Sequence, residues 1–334
     1  PILFLGHASV AMVLITTLVN ISALFFNLFY CFKKLDLKFH FGKIDFSLLK
    51  EIIGYSFFVF LGVVVDQVYW NTDQFILGIV AGTVPVAIYA IGMQFKTLYM
   101  RFSTAISGLF LPKASIMVAN KATGEDLTRS LIKYGRLQYI VLSYILSGFV
   151  LFGQQFINVW AGTDYSYAYY IALIVMIPLT IPLTQNFGLS VLYAKNLQGF
   201  RSIVLIFIAV LNILLTIPSA KAYGGIGAAS VTAISLILGN VLIMNIYYQY
   251  KIGMNMLLFW RNIIIMSIPV VITIFLAFIM QYFLPKNNLI VYCIEVLLFS
   301  IVFLVLMWKM ALNKYEKDFF LSFYSKIRNK IFKH

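Results

Sequence analysis

Long apolar segments that recur along almost the whole chain are the feature that most limits what this protein can fold into. A helix needs about 20 mostly apolar residues to cross ~30 Å of hydrocarbon at 1.5 Å per residue. The sequence contains nine such segments, with approximate cores at 8–32, 52–80, 84–111, 137–157, 167–193, 202–219, 226–248, 262–284 and 289–308. The gaps between them are too short for a soluble domain. We therefore predict an all-α polytopic membrane protein with about nine transmembrane helices.

Composition supports this class of protein. Of the 334 residues, 62% are hydrophobic and 11% are charged, and the mean hydropathy is +0.94. Soluble domains carry about a quarter charged residues. A soluble fold is therefore excluded.

The distribution of Lys and Arg predicts the orientation of the helices, because cytoplasmic loops retain positive charge. Most of the 25 basic residues fall in alternate loops, at 33–50, 112–136, 195–201 and 251–261, and in the tail after 308. The opposite loops hold only Lys221 and Lys286. We expect the first span to run from outside to inside and the C-terminus to be cytoplasmic. The net charge of +14 is then a topological signal rather than a nucleic-acid-binding surface.

Two aspartates interrupt the second apolar segment, in the stretch GVVVDQVYWNTDQFILGIVAG at 62–82. At ~100° per residue, Asp66 and Asp73 fall ~20° apart on one helix face. A charge at mid-bilayer costs at least ~2.5 kcal/mol, so this face needs protein or water beside it. We predict that it is turned towards the interior of the helix bundle.

The next span supplies partners for these carboxylates in Lys96 and Arg101. Counted from an outer turn at 81–85, Asp66 and Arg101 are level, and Asp73 and Lys96 differ by ~4–5 Å in depth. Two cross-hairpin ion pairs are possible on this count. Either they border a hydrated cavity, or they are structural pairs with no substrate role.

Aromatic and amide side chains beside these charges suit sugar rings and hydroxyl groups, although Trp near a membrane interface is also common. The expected substrate cavity is formed by Asp66, Trp70, Asn71, Asp73, Gln74, Lys96 and Arg101. Asp66 and Glu295 are candidate ion-coupling sites, with an outer-interface position as the alternative for Glu295. Catalytic and nucleotide motifs are missing from the sequence, and its three His have no ligand spacing. We expect no enzyme activity, no cofactor and no metal.

Other polar positions have structural interpretations. Asn212 is expected to form a hydrogen bond between helices. Pro178 and Pro182 should bend their span, with Gln185 and Asn186 meeting freed backbone groups or lining the cavity. The basic, aromatic tail at 309–334 is expected to lie along the anionic inner leaflet.

The order of these features resembles the polysaccharide and O-antigen flippases of the multidrug/oligosaccharidyl-lipid/polysaccharide exporter superfamily. The resemblance rests on SFFVFLGVVVDQVYWNTDQFILGIVAGTVPVAIYAIGMQF at 56–95, where the motif aspartate is Asp73 and its later Tyr–Ala pair is Tyr89 and Ala90. Pro112 matches the end of the eighth span, and Asn212 matches a motif of the eleventh. The resemblance covers nearly the whole chain, but its motifs are loose and mostly apolar.

The resemblance implies a MATE-like fold of two six-helix lobes and a terminal helix pair, of which this chain holds spans six to fourteen. The implied division is the last N-terminal-lobe helix and inter-lobe loop at 1–51, the C-terminal lobe at 52–250, the terminal pair at 251–308 and a cytoplasmic tail at 309–334. The chain starts at Pro1 without an initiator Met, so we expect five earlier spans in a longer protein.

The function that the resemblance implies is flipping of polyprenyl-diphosphate-linked oligosaccharides across the bacterial cytoplasmic membrane, for capsule or O-antigen synthesis. The head group would lie in a cationic cavity containing Lys96 and Arg101. The implied partners are this lipid-linked substrate, membrane lipids and other polysaccharide-assembly proteins. Alternatives are a multidrug or small-solute exporter, and a non-transporting component of a glycan-assembly complex. A membrane polymerase is disfavoured because the outer loops are short.

Overall fold

The computed structural model describes residues 8–34, 46, 47, 49, 53, 71–283 and 289–331, and every secondary-structure element in these ranges is helical. The all-α prediction is therefore confirmed. The chain divides into two units, residues 1–63 and 64–334. In the first unit, α1 (Ala8–Lys34) is a 27-residue apolar helix whose described side chains are mostly exposed.

The second unit is a bundle of consecutive helices. Its elements are α2 (71–80), α3 (Thr83–Ser107), α4 (Phe110–Ala119), α5 (Gly124–Trp160), a 3₁₀ turn (Thr163–Tyr165), α6 (Tyr167–Thr184), α7 (Asn186–Ala194), α8 (Gln198–Leu236), a π-helix (Ile237–Ile243), α9 (Met244–Tyr247), a second π-helix (Tyr248–Ile252), α10 (Met256–Phe283), α11 (Leu289–Leu306), a third π-helix (Met307–Ala311) and α12 (Lys314–Ile331).

Six helices within the described ranges are long and apolar enough to span a membrane, or seven if the bent pair α3–α4 is one span. One of the six, Gln198–Ile252, has 55 residues, and ~80 Å of straight helix would far exceed the ~30 Å hydrocarbon core. This segment turns back on itself at Gly224, whose φ of 58° and ψ of −138° are not helical. Asn212 on the first limb donates hydrogen bonds to Thr232 and Ser235 on the second, both at 3.3 Å.

The predicted interhelical role of Asn212 is thereby confirmed, and the segment supplies two antiparallel limbs, as the expected cores at 202–219 and 226–248 require. The total of nine spans stays a prediction, because most of 52–80 lies outside the described residues. The expected division at 51, 250 and 308 also stays a prediction.

Two separate hydrophobic cores lie along the same helices of the bundle. The first contains Leu77, Tyr89, Leu142, Ile171, Leu179 and Leu236. The second contains Phe110, Leu131, Phe187, Val191, Met244 and Phe259. Four segments contribute to both cores and therefore cross the boundary between the cores: α3–α4, α5, α6–α7 and α8–α9.

A layer of polar side chains occupies this boundary. We call Ser103, Gln138, Gln185, Asn186 and Asn245 the polar layer. The amides of Asn186 and Gln138 donate to the Ser103 hydroxyl at 2.9 and 3.1 Å, and Gln185 donates to Asn245 at 2.9 Å. Gln185 and Asn186 therefore bond to other side chains here.

Helical geometry is interrupted close to the polar layer in three neighbouring segments. α3 and α4 meet at Gly108 and Leu109 with a bend of 43°. α6 ends at Thr184, two residues after Pro182, which has no N–H to continue the helical hydrogen bonds. In the third segment the π-helix Ile237–Ile243 replaces α geometry, and Asn245 donates to the Val241 carbonyl at 2.7 Å. π-segments and breaks of this kind are where helices bend.

The C-terminal helices pack on one side of α5. α10 contacts α5 and α11, around a third core that includes Phe152, Met266, Phe299 and Phe303. At the end of this helix pair, Arg136 of α5 donates to both carboxylate oxygens of Glu316, at 2.6 and 2.8 Å, and to the Ala311 carbonyl at 2.7 Å.

The position of Arg136 corrects the sequence analysis, which placed it in a cytoplasmic loop at 112–136. The loop is shorter, because a capping box formed by Thr123 and Asp126 starts α5 at Gly124. Arg136 is consequently in the fourth turn of the helix and is only 5% exposed.

Candidate functional site

A cavity of about 460 Å³ lies along the faces of α2 and α3. Its lining residues are Asn71 and Gln74 from α2, with Ala90, Met93, Gln94, Lys96, Thr97, Leu98 and Arg101 from α3. Positions 90, 93, 94, 97, 98 and 101 recur every three or four residues, which places them on one stripe of α3. The sequence of α3 therefore forms one continuous wall from residue 90 to residue 101.

Two basic residues occur in this wall, and none of its described lining residues is acidic. Arg101 is exposed, whereas the Lys96 side chain is only 6% exposed, because its position is off the main stripe and its stem is buried against the bundle. Amide and hydroxyl groups of Asn71, Gln74 and Thr97 complete the polar surface. A surface with two cations and several neutral polar groups is suited to a phosphate-bearing or acidic polar ligand.

The structure brings together four of the seven residues that the sequence placed in a substrate cavity: Asn71, Gln74, Lys96 and Arg101. Asp66 and Trp70 lie outside the described residues, as does the expected pairing of Asp66 with Arg101.

Asp73, the seventh residue, is buried in the bundle and does not line the cavity. Its side chain is 2% exposed and accepts hydrogen bonds from three hydroxyl groups. The distances are 2.6 Å from Tyr89, 2.5 Å from Thr232 and 3.3 Å from Thr216. The structure thus satisfies this carboxylate with neutral donors from α3 and both limbs of the α8 hairpin, instead of the expected ion pair with Lys96.

The length of the outer turn explains this difference. The expected pairing assumed a turn at 81–85, but α2 ends at residue 80 and α3 begins at Thr83. Gly82 makes this short connection possible, because its φ of 86° is strained for residues with a Cβ. Asp73 and Tyr89 are equally far from the turn, so Tyr89 is the residue of α3 that is level with the carboxylate. Lys96 is ~10 Å further along the helix.

Glu295, the other candidate ion-coupling residue, is 6% exposed in α11, which packs on α10 and α5. It belongs to the C-terminal helix pair rather than to α2 or α3. Burial against neighbouring helices does not set the depth of Glu295 in the membrane, so the ion-coupling role and the outer-interface position both stay predictions.

The sequence analysis did not identify Thr216 and Thr232 as partners of Asp73. Both lie in the α8 hairpin, 143 and 159 residues from the aspartate. Threonines are frequent in spanning helices, where the hydroxyl bonds the preceding turn, so these two positions carry no distinctive signal.

A family model described as "polysaccharide biosynthesis protein" matches residues 2–169, half of the chain. No match was found among curated proteins. Among solved structures, the chain is similar to a protein described as lipid II flippase MurJ in an inward closed conformation, with a TM-score of 0.64 and 17% sequence identity. This similarity covers 82% of the present chain and 56% of the MurJ chain. At this identity the match shows a shared fold, and the present chain spans little more than half of that protein.

Proposed function

This chain belongs to the polysaccharide biosynthesis protein family, and from that premise we propose that it is part of a transporter that flips polyprenyl-diphosphate-linked oligosaccharides across the bacterial cytoplasmic membrane. The family assignment agrees with the resemblance found in the sequence. The fold similarity to a lipid II flippase favours a lipid-linked substrate. Capsule or O-antigen repeat units are the proposed cargo, and the C-terminus is proposed to be cytoplasmic.

The observation that carries this proposal is the cavity along α2 and α3. Its volume of about 460 Å³ is within the range of ligand sites, and it would take a head group while the lipid tail stays in the bilayer. Lys96 is positioned to attract a diphosphate from a mostly buried site, where charge interactions are stronger than in water, and Arg101 to bind it from the exposed surface. Asn71, Gln74 and Gln94 can bind sugar hydroxyls by hydrogen bonds.

The charge of the same cavity favours this function over its alternatives. A multidrug or small-cation exporter needs exposed carboxylates facing its ligand, but the described wall carries two cations and Asp73 is satisfied elsewhere. A non-transporting assembly component would have no need of a basic cavity. In the proposed site, Asp73 holds α2 against α3 and α8, and the basic residues contact the substrate.

Replacing Lys96 and Arg101 tests the proposal. In the full-length protein, we expect Lys96→Ala and Arg101→Ala each to lower surface glycan severalfold at near-normal protein abundance, because the diphosphate loses a cation. Lys96→Arg should retain part of the activity, since charge persists in altered geometry. Lys113→Ala is the matched control, because this exposed lysine on α4 is outside the cavity.

Binding can be measured on the purified protein with farnesyl diphosphate as the probe. It should raise the midpoint of thermal unfolding of the wild type but not of the double alanine variant, whereas farnesol should act equally on both. Normal glycan export by a well-folded Lys96→Ala, Arg101→Ala protein would rule out the cationic cavity. A loss of protein that parallels the loss of glycan would instead support a purely structural role for these residues.

We infer that the inward and outward states of such a transporter interconvert by bending at the polar layer. The two hydrophobic cores on either side can each move as a packed block, while the breaks at Gly108, at Gln185 and in the π-helix Ile237–Ile243 absorb the change of direction. Gln138 supports this inference, because no hydrogen-bond donor for its buried Oε1 atom lies among the described residues. Such a group can exchange hydrogen bonds as the helices bend.

Gly108→Ala tests the bending. Among the described residues, a Cβ at Gly108 would meet only the Thr104 carbonyl, at 3.8 Å. The backbone there is already helical, so we expect unchanged or slightly higher thermal stability. Stiffening the α3–α4 junction should nevertheless lower glycan export severalfold. Gly199→Ala is the control, because its Cβ has open space at the start of α8, away from the polar layer. Full export by the Gly108→Ala protein would argue against bending at this junction.

A further inference from the structure

The C-terminal helix α12 carries an exposed aromatic surface that takes no part in the cavity or the polar layer. Phe319 and Phe320 are 45% and 36% exposed, although they begin only eight residues after the third π-helix ends at Ala311. Large aromatic side chains exposed side by side mark an interaction surface. Their closeness to the end of a spanning helix restricts the partner to one found at the membrane boundary.

The first turn of α12 is fixed in orientation by the bundle. Glu316 is 1% exposed, receives the bidentate hydrogen bonds from Arg136, and closes a cap in which the backbone N–H of Asn313 donates to its carboxylate at 2.9 Å. Lys133 of α5 lies 4.1 Å from the centre of the Tyr315 ring, a cation–π contact. The start of the helix is thus held against the end of α5, and its rotation about its own axis is set by Glu316.

The fixed rotation turns the apolar side of the helix in the same direction as Glu316. At ~100° per residue, Phe320 is ~40° and Phe319 ~60° from Glu316. Ser322 is ~120° away. Because Glu316 faces the bundle, Phe319 and Phe320 lie on the half of the helix that is turned towards the end of the bundle, where they are still 45% and 36% exposed.

Charge on this helix fits an anionic surface. Residues 314–334 contain six Lys or Arg and two acidic residues, one of which is Glu316, already neutralised by Arg136. A helix with an aromatic side, basic flanks and a spanning helix immediately before it has the features of a helix that lies in a membrane interface. Basic residues close to an anionic leaflet are attracted to it, and salt screens this attraction.

We propose that α12 lies in the plane of the membrane, with Phe319 and Phe320 inserted at the headgroup boundary and its basic residues bound to anionic phospholipids. The ion pair between Glu316 and Arg136 holds the start of α12 at the depth of the headgroups. The surface would make the protein sensitive to the anionic lipid content of the leaflet at this end of α5, independently of what the transporter carries.

Spin labels at two positions test the proposal on the full-length protein in nanodiscs. With Cys31 and Cys293 replaced by Ser, a nitroxide is attached at Phe320→Cys or, as the matched control on another side of the helix, at Ser322→Cys. In bilayers of phosphatidylcholine with phosphatidylglycerol, the label at 320 should be relaxed mainly by oxygen, which dissolves in lipid. The label at 322 should be relaxed mainly by a water-soluble nickel chelate.

The anionic lipid is tested by repeating the measurement in phosphatidylcholine alone. In phosphatidylcholine alone, the ratio of relaxation by oxygen to relaxation by nickel at position 320 should fall severalfold, and high salt should lower it as well. In the variant that carries Lys314→Ala and Lys317→Ala, this ratio should differ less between the two lipid compositions. Equal preference in both lipid compositions would overturn the role of charge. If nickel relaxes the labels at both positions, α12 lies in the aqueous phase. If both labels are shielded from both reagents, a protein covers the helix. Either result would overturn the proposal.

Discussion

Arg136→Ala is expected to lower the free energy of unfolding by about 3–5 kcal/mol, the range seen when one partner of a buried ion pair is removed. The guanidinium forms three hydrogen bonds, two to Glu316 and one to the Ala311 carbonyl. Its loss leaves a carboxylate that is 1% exposed without its cation and detaches α12 from α5. The midpoint of thermal unfolding in one fixed detergent, together with protein abundance in the membrane, measures the effect.

A second ion pair in the same helix provides the control. Arg129 and Glu125 are joined at 2.6 Å, but their side chains are 72% and 74% exposed. Arg129→Ala should therefore cost only about 0–1 kcal/mol. The double change Arg136→Met, Glu316→Leu should recover much of the stability lost in Arg136→Ala, because no buried charge is left unpaired. If Arg136→Ala and Arg129→Ala unfold at the same midpoint, the buried pair does not hold the C-terminal helix.

The Arg136–Glu316 pair also shows what sequence patterns could not predict. Its two residues are 180 positions apart, and each sits in a charged stretch of the kind that is normal for a cytoplasmic loop or tail. What buries Arg136 is the early start of α5, and that start depends on the capping box at Thr123 and Asp126. The capping pattern TGED at 123–126 is present in the sequence, and it indicates a helix start at Gly124 that the count of loop charges does not reveal.

Other features could be predicted because they follow from local chemistry. Apolar length predicted the helices, since the bilayer thickness sets the number of residues that a span requires. The presence of Lys96 and Arg101 in an apolar segment indicated a cavity, because a charge inside a span needs protein or water beside it. The partners of Asp73 could not be predicted, because the register across the α2–α3 turn depends on a connection of two residues rather than five. An error of three residues in a turn shifts a helix by ~4–5 Å. Added to the ~4–5 Å difference in depth already allowed between Asp73 and Lys96, it accounts for the ~10 Å that separates Lys96 from Tyr89 along α3.

Asp73→Ala is expected to produce the second large loss of stability. The three hydroxyl groups of Tyr89, Thr216 and Thr232 come from different segments of the bundle and share this one acceptor. A buried donor left without an acceptor costs about 1–3 kcal/mol. The alanine variant should therefore unfold at a clearly lower temperature and accumulate poorly, even though residue 73 does not line the cavity.

The two threonines allow the strength of the network to be ranked. Thr232 donates at 2.5 Å and Thr216 at 3.3 Å, so Thr232→Val should lower the unfolding midpoint more than Thr216→Val, with similar side-chain volume in both. Asp73→Asn should be less harmful than Asp73→Ala, because its amide oxygen still accepts hydrogen bonds and a hydroxyl can rotate to accept from the amide nitrogen. If Asp73→Asn and Asp73→Ala are equally unstable, the negative charge itself, and not its capacity to accept hydrogen bonds, is what holds α2, α3 and the α8 hairpin together. If Asp73→Ala is as stable as the wild type, the three hydroxyl contacts contribute nothing to the bundle, and the role of Asp73 must be sought in transport.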